Sequence, residues 1–137
     1  MKPGDQRDAS RIYYEDQSDW STEDFYALWR YFNRLAQYVG PTPYEAQHPE
    51  SRTARIQAKR TGKRDEELAS LDLDRMSLRA RYLLKHVLIH TQRWELALHR
   101  FPNLAGLETV SPLEDPIYLR DSPRFTYRYL TDMGIYL

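Results

Sequence analysis

Apolar residues recur at three- and four-residue spacing over two stretches of the chain, the pattern of helices that bury one face. Phe25, Leu28, Trp29, Phe32, Leu35, Ala36 and Val39 form the first stripe, which predicts a helix over about 22–39. Ser21 is placed to cap it, with Asp24 three residues on, and Glu23 and Asp24 put acids in the first turn, where the helix dipole favours them. Gly40 and Pro41 then end it. The second stripe is Met76, Ala80, Leu83, Val87, His90 or Thr91, Trp94, Leu98 and Phe101. No Gly or Pro interrupts 72–101 and Pro102 stops it, so the main prediction is one long helix over about 72–101. Such a helix is long for a domain of this size, and a kink near His90–Thr91 is the alternative. Trp29 and Trp94 lie on the two stripes and are expected in the core.

Shorter elements lie around these two. Thr42, Pro43 and Glu45 form a second start signal, with Thr42 as cap and Pro43 at the first helical position, and Pro49 cuts that helix short. A polar helix from about 50 to 61, stopping at Gly62, has only Ala54, Ile56 and Ala58 to bury, so 49–70 reads as a charged connector that is either helical or mobile. Residues 1–20 lack a periodic pattern and read as an arm, with Tyr13, Tyr14 and Trp20 as its candidate pins. Four prolines break the tail 102–137; Ser122-Pro123, Phe125, Tyr129, Met133 and Gly134 fit a short final helix, though Phe125, Tyr127 and Tyr129 also alternate like a strand. The fold class expected is all-α: one helical domain over 1–137, with two main helices, one or two short ones and a Pro-rich tail.

Composition narrows the chemistry. The 137 residues include no Cys, which removes disulfides, thiolate catalysis and Cys-based zinc sites. No segment is apolar enough for a membrane span, and the polar first residues do not read as a secretory signal, so a cytoplasmic setting without a membrane partner is expected. Twenty basic and twenty acidic side chains balance, but in blocks. Residues 41–64 carry six bases and two acids, 65–74 five acids, and 75–101 six bases and one acid. No nucleophile elbow, phosphate-binding loop or dinucleotide fingerprint is present, and only five Gly occur. An enzyme is therefore not expected.

Metal sites fare no better. His86 and His90 stand four apart, but Val87 occupies the position where a zinc-protease helix carries Glu. Glu45-x-x-His48 has di-iron spacing, yet it occurs once, beside a proline. Glu95 and His99 read as helix neighbours, and the acid pairs Glu66-Glu67, Asp72 with Asp74, and Glu114-Asp115 read as solvated surface. Neither metal nor cofactor is expected.

Two cationic patterns remain. Arg79, His86, Arg93 and Arg100 are seven apart, and Leu78, Tyr82, Ile89 and Leu96 run beside them. This describes either a helix covered on two sides by its own domain or one that offers an Arg–aromatic face to a partner. Arg and Tyr are enriched at interfaces, and the chain has 11 Tyr. The function expected is non-catalytic binding to another protein, as an inhibitor, immunity-type protein, adaptor or assembly subunit. Its candidate contacts are Arg79, Tyr82, Arg93 and Arg100, with Arg124, Tyr127 and Arg128 from the tail. The alternative is nucleic-acid binding through Arg52, Arg55, Lys59, Arg60, Lys63 and Arg64, where Arg52, Arg55 and Lys59 would share one helical face.

Overall fold

The computed structural model describes residues 9–16 and 20–110. Arg124, Tyr127, Arg128 and the expected final helix lie outside the described residues. Those described form a small all-α fold without strands, and none of their helices is long and apolar enough to cross a membrane.

The central pair is α2 (Thr22–Ala36) against α6 (Leu78–His90). The predicted box starts α2: the Asp24 N–H donates to Ser21 Oγ at 3.1 Å and the Ser21 N–H to Asp24 Oδ2 at 3.0 Å. Its face of Phe25, Leu28, Trp29, Phe32 and Leu35 is buried. The helix closes at Ala36 rather than Val39, because the last bonds tighten to three-residue spacing, ending with the Val39 N–H on the Ala36 carbonyl. α6 contributes Leu83, Leu84, Val87 and Leu88 to the same core.

The helix predicted over 72–101 is three elements. Asp72 caps a 3-10 turn at Leu73–Arg75, Ser77 caps α6, and α7 follows at Trp94–Arg100. The interruption lies at the anticipated kink and is a complete stop. The Gln92 N–H bonds the Ile89 carbonyl, and the Arg93 N–H bonds the Leu88 carbonyl at 2.8 Å. These are the two reversed bonds of a Schellman motif, with Gln92 at φ +61° in the left-handed position where Gly is usual. Pro102 ends α7 as predicted and opens a 3-10 segment, Pro102–Thr109, whose Leu104 and Leu107 are fully buried.

The charged stretch is helical. α3 (Pro43–Gln47) carries the predicted box of Thr42 and Glu45, and α4 (Arg52–Arg60) is capped by Ser51. The Gly62 N–H donates to the Tyr38 carbonyl at 3.2 Å, tying the end of α4 to the end of α2. α5 (Asp65–Ala69) buries Leu68. Ahead of them, α1 (Ala9–Ile12) packs on α2, and the arm is pinned by its aromatics. Tyr13 is buried, the Tyr14 hydroxyl accepts from the Asp72 N–H at 2.9 Å, and the Trp20 ring lies 6.0 Å from Phe25.

Candidate functional site

Three of the four helix residues expected at a partner surface are interior. Arg79 is 5% exposed, with its guanidinium 5.3 Å from the Phe25 ring and 5.8 Å from Trp20. Tyr82 is 6% exposed and meets His86 edge-on. Arg93, 8% exposed, is a hub of buried hydrogen bonds. Its Nε donates to the Gly40 carbonyl, Nη1 to the Thr91 carbonyl and Nη2 to Gln57 Oε1, each at 2.9 Å. Glu45 Oε1 lies 3.7 Å from Nη2. Burial lowers the Arg93 pKa, Glu45 opposes that shift and Arg60 adds to it, yet a guanidinium stays charged. Arg100 is half-buried and also spent internally, on the Val39 carbonyl and on Asp65 Oδ2 at 2.6 Å. The seven-residue arginine repeat therefore belongs to a helix pair covered by its own fold.

What the hub holds in place is a groove. Gln57 carries the network onward, donating to the Gln37 carbonyl at 2.5 Å and to Thr61 Oγ1 at 3.2 Å. Through Arg93, the start of α3 is thus fixed against the junction of α6 and α7. At Gly40, φ +146°, the backbone and Leu96 come so close that an added Cβ would lie 2.6 Å from the Leu96 side chain. Between these walls lies an open groove of about 680 Å³. Pro41, Pro43 and Ala46 line one side, and Ile89, Trp94 and Leu96 the other. Its rim carries Glu95 and His99, both exposed. Ile89 is 41% exposed and shares this lining with Trp94 and Leu96, so the apolar surface there is contiguous. Trp94, expected in the core, is instead half-buried along this groove.

The basic residues hold a different surface. Gln57 turns the inner face of α4 toward the hub, so Arg52, Arg55 and Lys59 share the outward face, as their spacing predicts. Arg60, Lys63 and Arg64 are exposed as well, with Arg60 on the side of α4 toward Gln57 and Arg93. Arg60 donates to Gln37 Oε1, and Arg64 stands over the Tyr38 ring.

The metal-like spacings resolve into other roles. His86 and His90 are in ring contact at 4.0 Å, and His86 also lies 5.5 Å from the Trp29 ring. Burial, reinforced by His90, lowers the His86 pKa to about 3, and burial lowers that of His90 as well. Glu45 is used by the Thr42 cap, while His48 stacks on Tyr44 and donates from Nδ1 to its carbonyl at 3.0 Å. Among the described residues, no three His, Asp or Glu gather as a metal site would require.

Sequence reasoning missed Gln57 and Gln92, the residues that shape the groove. Gln57 gave one signal, a polar residue on the inward face of a capped polar helix. Gln92 gave none. No family model, curated protein or solved structure matches this chain.

Proposed function

We propose that the chain is a non-catalytic binding protein that receives an apolar segment of another protein in the groove between α3 and the α6–α7 junction. The observation that carries this reading is the half-exposed Ile89 in an apolar channel of about 680 Å³. That volume is typical of sites that bury apolar ligand groups. Apolar grooves beside a helix commonly take the anchors of an amphipathic partner segment. The rim specifies the neighbour of the anchor: Glu95 is exposed and has no ion pair among the described residues, so a Lys or Arg beside the anchor complements it. The roles that fit are those of an inhibitor, immunity-type protein, adaptor or assembly subunit.

Ile89→Asp tests the proposal with little risk to the fold, since the side chain already meets solvent. It should weaken partner binding at least about 30-fold, the scale of losing an interface anchor and desolvating a charge. Replacing Arg52, Arg55 and Lys59 together by Gln should change affinity only a few-fold, because exposed charges are screened. The reverse ranking rejects the groove.

One observation favours a second reading: all six cations of Arg52, Arg55, Lys59, Arg60, Lys63 and Arg64 are exposed. If they grip nucleic acid, affinity should fall about a thousandfold between 50 and 200 mM salt. A groove-held protein segment depends on salt far less.

A further inference from the structure

Among the described residues, Gln92 alone combines a side chain with a positive φ, at +61°. It closes the Schellman turn between α6 and α7, where glycine would make the same backbone bonds without a Cβ penalty. No side-chain hydrogen bond offsets that cost: the Gln92 carboxamide is exposed and has no partner among the described residues. It lines the apolar groove, on the wall formed by Ile89, Trp94 and Leu96. Backbone strain retained at a binding surface points to a use for the side chain it presents. The other polar groups of the groove do not offer the same chemistry. Pro41 and Pro43 have no N–H, and Thr42 is engaged with Glu45 through both its N–H and its hydroxyl oxygen. Glu95 can only accept, and a neutral His99 holds its donor and its acceptor on divergent edges of the ring. Gln92 carries donor and acceptor side by side in one plane, the complement of a peptide group.

We propose, resting on the reading of the groove as a protein-binding channel, that its occupant is an extended segment whose main chain is read by Gln92 beside the apolar anchor. Helices satisfy their own backbone except at their ends, so free N–H and C=O groups along a segment belong to extended chain. Ile89 and Trp94 then receive the anchor, Glu95 its basic neighbour, and Gln92 fixes the register of the segment between them.

The probe is a short peptide selected against the full chain from a random-sequence display library and kept only if Ile89→Asp abolishes its binding. It is synthesised with each backbone amide replaced in turn by an ester, which removes one N–H donor, and affinities are measured by calorimetry. Gln92→Met keeps the length of the side chain and loses its polar groups. It should weaken binding about three- to tenfold with unchanged melting, the scale of one or two hydrogen bonds. One ester should cost about as much in the parent chain and almost nothing in Gln92→Met, because the two changes remove the same contact. Gln92→Gly should weaken binding to the same degree while melting at a higher temperature. If both Gln92 variants bind like the parent, or if every ester costs the same in parent and variant, the inference is overturned while the Ile89-dependent groove stands. If no selected peptide depends on Ile89, the groove reading falls and the inference falls with it.

Discussion

Arg93 and Arg52 are the same residue type in opposite situations, and sequence spacing does not separate them. Arg93 is surrounded by the Gly40 and Thr91 carbonyls, Gln57 and Glu45, whereas Arg52 is exposed on α4. Arg93→Ala should cost about 3–5 kcal/mol in denaturant titration, because three acceptors lose their donor and the largely buried Glu45 loses its cation. Arg52→Ala should stay within about 0.5 kcal/mol. His86 adds a pH dependence. Its pKa is about 3 when folded against the ordinary histidine value of 6.5, so below pH 6.5 the unfolded chain binds a proton that the folded chain refuses. Stability is unaffected above that pH and falls as pH drops toward 3, by up to about 1.4 kcal/mol per unit. Unfolding curves at pH 7 and 4.5 should therefore show a loss about 2 kcal/mol larger for the parent than for His86→Leu. Equal losses would mean the imidazole is not shielded beside Trp29.

At the scale of elements, signals carried by single residues were legible at both ends. Ser21 and Thr42 announced themselves as starts and Pro49, Gly62 and Pro102 as stops, because caps, prolines and glycines act on the nearest turn. The stop at 91–93 did not, since it is a Schellman motif built with Gln rather than Gly. An apolar stripe runs straight through it, because α6 and α7 both pack on the same core. Gln92→Gly should relieve the left-handed strain and raise stability by about 0.5–1 kcal/mol, read as a higher midpoint at unchanged slope. A fall would mean that the glutamine side chain holds the junction through contacts that outweigh the strain. The burial of Arg79 and Tyr82 was legible only as one of two readings. Helical periodicity tells which residues share a face; what covers that face is decided by elements distant in sequence.

For the whole molecule, the all-α class followed from the two apolar stripes, and the groove did not, because its walls come from residues 41–46 and 89–99. It depends on Arg93 reaching Gly40 across 53 positions and Gln57 across 36. Long-range polar contacts of this kind leave no periodic trace. They convert two helix ends and a short capped helix into an apolar channel with Glu95 and His99 at its rim. The most direct test is a photo-crosslinking residue placed singly at 89, in the groove, and at 55, on the basic face, with products identified by mass spectrometry after native assembly. A groove that binds protein predicts one dominant peptide adduct from position 89, carrying an apolar anchor beside Lys or Arg, and little from position 55. Nucleic-acid adducts from position 55, with no peptide adduct from position 89, would contradict it.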